Sequence, residues 1–153
     1  MQAQDFSLPI HYVRQIADQV KSLGADVPQW LALSQLTEAD LANPMQTVSF
    51  PVAYQLVVNA LAVTKEPALG LLVGERLVVN THGILGYAAM NSGTLRQALD
   101  LFERYIGVRT TLVLVRHDID GPHVHVRFEE PQPLGEIRRT VLEAIMLTVK
   151  NVL

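Results

Sequence analysis

The sequence predicts an α+β fold: mostly helical, with one small antiparallel sheet and a long C-terminal helix. Three observations carry this. Apolar residues recur at helical spacing over most of the first eighty positions, punctuated by proline, glycine and capping residues. One stretch, about 109–130, alternates β-branched and polar residues on either side of an Asp-Gly pair, as a hairpin does. Residues 134–153 then return to the helical period.

The elements follow in order. "IHYVRQIADQVKSL", 10–23, sets Ile10, Val13, Ile16, Ala17 and Val20 on one helix face, and Gly24 stops it. "DVPQWLALSQL" reads as a short helix with Asp26 as cap and Pro28 in its first turn. "LTEADLANP" reads as another, capped by Thr37 and stopped at Asn43–Pro44. Trp30, Leu31, Leu36 and Leu41 anchor this pair. "FPVAYQLVVNALAVT", 50–64, is a more apolar and therefore buried helix, and "EPALGLLVGERL", 66–77, starts the next with Pro67 near its first position.

"GILGYAAM", 83–90, is short and glycine-rich, and a strand is expected there. Thr94 and Gln97 make a capping-box pattern for a helix with Leu95, Ala98, Leu99, Phe102 and Ile106 on its face. "RTTLVLVRH", 109–117, and "HVHVRFEE", 123–130, are the hairpin strands, joined at Asp120–Gly121. The final helix carries a stripe of Ile137, Val141, Ile145 and Val149. It runs to the last residue without a glycine, asparagine or proline stop, so the chain reads as truncated.

Composition excludes several classes. The chain has 153 residues, 49% of them hydrophobic, enough for one domain with a real core. Its net charge is −3, and its twelve Lys and Arg are scattered, with no block longer than Arg138–Arg139. A nucleic-acid surface needs a concentrated basic footprint, which is missing here. No long uncharged apolar run marks a membrane span, and the N-terminus lacks the pattern of a signal peptide. With no cysteine there is no disulfide or thiolate chemistry, and a cytoplasmic protein is expected.

His123 and His125 share a strand face with Arg127, with His117, Asp118 and Asp120 across the turn. Two histidines and a carboxylate suit zinc or iron, but Arg127 repels a cation, and a solvated hairpin face is the better reading. No metal or cofactor is expected. Ser34, Ser49 and Ser92 lie outside any G-x-S-x-G motif, and no enzyme is expected. "GLLVGER", 70–76, is neither a P-loop nor a dinucleotide fingerprint, and its glycines are better read as allowing close helix packing.

That leaves a small-molecule pocket. Tyr12, Trp30, Tyr54, Tyr87 and Tyr105 are aromatics with polar handles, each more readily core filler than ligand contact. The ligand-contact candidates are His82, Tyr87, Trp30 and Tyr54, with Arg76 and Arg96 as carboxylate partners. His82 opens the apolar run and reads first as a turn residue bonded to backbone, and second as a ligand group.

The order of segments resembles the N-terminal, arabinose-binding-like domain of one branch of AraC-type bacterial transcriptional regulators. The resemblance spans roughly residues 10–150. It rests on Glu66–Pro67, Leu69–Gly70–Leu71 and Gly74, then on His82–Gly83, Gly86–Tyr87, Ser92 and Thr94–Leu95. It implies that residues 1–153 are an effector-sensing and dimerisation domain, which in a full regulator precedes a DNA-binding domain with two helix-turn-helix motifs. Contact with DNA would come only through that absent domain.

A small-molecule effector with an apolar part and a homodimer are the expected partners, with no membrane. The alternative is a ligand-independent dimerisation module that uses the stripe of Ile137, Val141, Ile145 and Val149, although the same stripe also suits the domain's own core. A haem-binding or enzymatic domain is the remote third reading, resting on His82 alone.

Overall fold

The computed structural model describes residues 7–78, 81, 83–109 and 112–152. Strand β1 (Leu8–Pro9) leads into helix α1 (Ile10–Ser22), which buries Ile10, Val13, Ala17 and Val20. It ends where Gly24 takes φ +84°, a left-handed conformation in open space. Helix α2 (Val27–Ala32) begins as expected: the Asp26 carboxylate accepts the Gln29 N–H at 2.8 Å. Helix α3 (Glu38–Ala42) is held at its start by Asp40, whose Oδ2 accepts the Thr37 N–H at 2.8 Å.

Strand β2 (Thr47–Val48) pairs antiparallel with β1, Leu8 opposite Val48. This second two-stranded sheet was not anticipated, because two residues carry no readable alternation. Helix α4 (Phe50–Thr64) buries Ala53, Leu56, Val57 and Ala60, and helix α5 (Leu69–Arg76) follows.

The strand expected at 83–90 is instead helix α6 (Ile84–Met90). A strand would bury alternate residues. Here Leu85, Gly86 and Ala89 are buried while Ile84 is 88% exposed, which is helical spacing. A short apolar run does not distinguish the two by period, and Gly83, at φ +58°, opens the helix. His82 lies outside the described residues.

Helix α7 (Leu95–Arg109) is capped as predicted, with the Gln97 N–H donating to Thr94 Oγ1 at 3.2 Å. Gln97 reaches back one residue further than a capping box requires, to the Gly93 N–H at 2.8 Å. The helix runs to Arg109, so the hairpin begins later than 109. Its strands are β3 (Leu114–Asp120) and β4 (His123–Glu129), with Asp120 opposite His123 and Gly121 at φ +57° in the turn. A 3₁₀ turn (Gly135–Ile137) leads into the long helix α8 (Arg138–Val152).

Two cores result. The larger gathers α1, α2, α4, α5 and α8 around residues such as Trp30, Leu56, Leu69 and Ile137. Trp30 is fully buried, and its indole N–H donates to the Leu56 carbonyl at 2.9 Å, which fastens α2 to α4. The smaller core packs α6 and α7 under β3, through Leu85, Ala89, Phe102, Ile106 and Val115. Phe128 of β4 packs against both.

Within the larger core α5 and α8 approach each other closely. A Cβ at Gly70 would stand 2.3 Å from the Thr140 carbonyl oxygen. One at Gly74 would stand 2.9 Å from Leu147 Cβ and 3.0 Å from Ala144 Cα. The helices therefore touch backbone to backbone, and the glycines are packing residues. Gly70→Ala has no flexible neighbour to displace. It should destabilise the protein by about 1–3 kcal/mol and lower the melting temperature by several degrees. Exposed Glu75→Ala on the same helix should stay within about 0.5 kcal/mol, with both read from thermal melts followed by circular dichroism.

Candidate functional site

Where α5 and α8 meet through glycine, their flanking side chains diverge. On the side facing α1 and α4 they leave a cavity of about 100 Å³. Leu69 and Val73 wall it from α5, Val141 and Ile145 from α8, Ala53 and Val57 from α4, and Ile16 from α1. Ile106 of α7 and Leu112 complete it. Its polar side chains are Tyr12, Thr140 and Thr148. The Thr148 hydroxyl donates to the Ala144 carbonyl at 2.8 Å, one turn back in its own helix. Among the described residues, no Asp, Glu, Lys, Arg or His lines the cavity. A second hollow, of about 350 Å³, lies between α6 and α7 beside Ser92, Gln97, Asp100 and Arg104, and is more open to solvent. The first is the better ligand site, because its surface is largely apolar and less open to solvent, and concave apolar surface is what gives a small molecule its affinity.

The residues singled out from sequence take different places. Trp30 is sealed between α2 and α4. The Tyr54 hydroxyl accepts the Glu136 N–H at 3.2 Å and holds the approach to α8. Tyr87 is 49% exposed on α6, and Arg96 is exposed at the start of α7. Arg76 Nε donates to Gln19 Oε1 at 2.7 Å and its Nη2 to Ser22 Oγ at 2.9 Å, so it ties α5 to α1. None of these five lines the cavity.

The stripe named as a dimer face points inward. Ile137, Val141 and Ile145 line the cavity, and Val149 is only 6% exposed. Sequence reasoning missed Thr140, Ala144 and Thr148 as site residues. Their signal was present, a row of small residues four apart that matches Gly70 and Gly74 on the facing helix.

A polar cluster elsewhere holds the hairpin on α7. The His117 ring lies between two carboxylates, Nδ1 at 2.5 Å from Glu103 Oε2 and Nε2 at 3.1 Å from Asp100 Oδ1. The His117 N–H also donates to Glu103 Oε2 at 3.2 Å, and Arg116 stands 3.6 Å from the same carboxylate. Burial pushes the Glu103 carboxyl up. The hydrogen bonds from the His117 backbone and ring, followed by the charges of His117 and Arg116, outweigh it and hold the carboxyl below its ordinary value. On the hairpin's other face, His123 and His125 stand exposed opposite Asp120 and Asp118.

Comparison with known proteins now adds to this geometry. Residues 24–153 match the N-terminal arabinose-binding domain of AraC transcription regulators. The chain belongs to that family. It is 32% identical over 148 residues to the ornithine utilization regulator of Pseudomonas aeruginosa, covering 95% of this chain and 43% of that protein. It is 29% identical over 103 residues to uncharacterised helix-turn-helix-type transcriptional regulators of Mycobacterium tuberculosis and Mycobacterium bovis. Those matches cover 67% of this chain and 30% of each regulator. The chain thus spans less than half the length of the curated relatives it matches. Most of the cavity of this AraC-type domain, namely its α4, α5, α7 and α8 walls, falls within the matched span.

Two outcomes follow from the placement of these groups. Val149→Asp puts a charge into the interior, so it should cost about 3 kcal/mol or more and abolish the cooperative melt. Met146→Glu, at a residue 55% exposed on the same helix, should cost less than about 1 kcal/mol.

The second outcome concerns pH. Because Glu103 is held below its ordinary value, its contribution to stability is complete above the ordinary carboxylate range. That contribution is lost as pH falls through the depressed folded-state value. The gap in melting temperature between the parent and Glu103→Gln should therefore be open at neutral pH and close in acid.

Proposed function

We infer that this AraC-type domain senses a small-molecule effector in the cavity between α1, α4, α5 and α8. The observation that carries this reading is the composition of the cavity wall. It is largely apolar, and the long helix α8 supplies Val141 and Ile145 to it. An occupant therefore touches the long helix that packs backbone to backbone on α5. Among the described residues the lining offers no nucleophile paired with a base, which favours binding over catalysis.

The mechanism is a population shift. An effector that binds one arrangement of α5 and α8 better than another stabilises that arrangement by its difference in affinity, and by no more than that difference. In this reading the domain acts in the cytoplasm as part of a homodimer, and contact with DNA belongs to a separate C-terminal domain. Among the described residues, no single helix is long and apolar enough to cross a membrane. With the Ile137, Val141 and Val149 stripe turned inward, dimer contacts fall to other surfaces.

The test uses a full regulator carrying this domain, with the effector it answers to. Val57→Phe fills the cavity from α4. It should weaken the response to effector by about tenfold or more, while effector-free DNA affinity stays within about threefold. An unchanged response in a folded variant would count against the cavity as the sensing site.

A further inference from the structure

The geometry points to an uncharged effector, predominantly apolar and about the size of a single small ring or a short branched chain, with at most one hydrogen-bonding group. This inference rests on the reading of the cavity as the effector site, and it narrows the chemistry that site accepts.

The wall decides the charge. An ionised carboxylate or ammonium that leaves water for an apolar enclosure needs a partner there, and without one the cost is large. No charged side chain lines the cavity among the described residues. The cations nearby in sequence are directed elsewhere. Arg76, one turn beyond Val73, is held by Gln19 and Ser22. Arg14 of α1 is half-buried with its Nε buried and without a hydrogen-bond partner, and it is not among the residues that line the cavity.

Polar capacity is equally limited. The Thr148 hydroxyl already donates to its own helix, and Tyr12 and Thr140 are the other polar side chains that line the cavity among the described residues. Volume sets the size. An apolar cavity of about 150 Å³ in another protein takes up benzene, and this one, at about 100 Å³ and partly open to solvent, suits nothing larger than a single small ring.

The consequence is specific. Ornithine, the compound in the name of the Pseudomonas aeruginosa relative, carries two ammonium groups and a carboxylate at neutral pH, and this cavity offers none of them a partner. The two proteins share fold and family at 32% identity, and the inference assigns this chain a different class of effector.

Three probes test it on the 153-residue chain: toluene, benzoate and ornithine, each followed by calorimetry and by the methyl NMR signals of Ile16, Val73 and Ile145. Toluene should bind with a dissociation constant on the order of 10–1000 μM and shift those methyls. Benzoate, of similar shape but charged, and ornithine should each bind at least about tenfold more weakly. Ala53→Leu, which grows into the cavity from α4, should weaken toluene binding by about tenfold or more. Should that variant not fold, the methyl shifts of the parent chain locate the site without it.

Benzoate or ornithine shifting the same methyls as tightly as toluene would overturn the uncharged class and keep the cavity as the effector site. If none of the three probes moved those methyls, both the class and the cavity reading would be overturned.

Discussion

The backbone contact between α5 and α8 is the constraint on which the rest of this domain depends. Gly70 and Gly74 leave no room for a Cβ against Thr140 and Ala144, so the two helix backbones come together where side chains would ordinarily hold them 8–10 Å apart. That approach draws α8 into the core. Asn151 extends the contact by donating to the Gly74 carbonyl at 3.2 Å. With α8 in place, Ile137 and Val141 join the larger core, and Tyr54 can receive the Glu136 N–H. Arg76 then fixes α1 across the pair from the opposite side. The cavity is a by-product of the same contact. Small residues bring the helix axes together, and the larger residues on either side cannot fill the angle between them.

Features that depend on a few adjacent residues were legible in the sequence. The Asp26 and Thr94 caps, the Gly24 stop and the Asp120–Gly121 turn each act within about one turn of chain, and each holds in the structure. Features decided by distant partners were not. The β1–β2 ladder joins residues some forty positions apart, and neither strand is long enough to show a period. The segment 83–90 became a helix because its Leu85 and Ala89 face is covered by α7 and β3, a partner invisible to local reading. The site was legible only in part. The apolar stripe on α8 and the glycine spacing on α5 could both be read, but whether a stripe faces a second copy, the core or a cavity depends on what packs across from it. Arg76 shows the same limit. Its charge suggested a carboxylate partner, whereas its position two residues after Gly74 brings it to Gln19 and Ser22.

The smaller core stands apart from the larger in both packing and chemistry. Apolar contacts hold α6 and α7 to β3, and the clamp of His117 between Asp100 and Glu103 locks the strand to the helix. Isolated two-stranded hairpins are marginal in water, so β3 and β4 depend on this clamp and on Phe128, which reaches both cores. The cavity lies at the junction of the two. Ile106 belongs to the smaller core and also lines the cavity, opposite the side chains from α5 and α8.

This placement determines which motion an effector is able to bias. The α5–α8 pair cannot be spread or compressed at Thr140 without disturbing a backbone contact, so it responds as one body. From α7, the described contact with the cavity is a single side chain, Ile106. An occupant that fits one spacing between Ile106 and the Val141–Ile145 wall better than another therefore acts on the position of α7, with the hairpin clamped to it, relative to α8. Coupling of this kind needs two arrangements of similar free energy and a difference in contact between them. The junction of a rigid pair with a separately packed unit is where this fold supplies both.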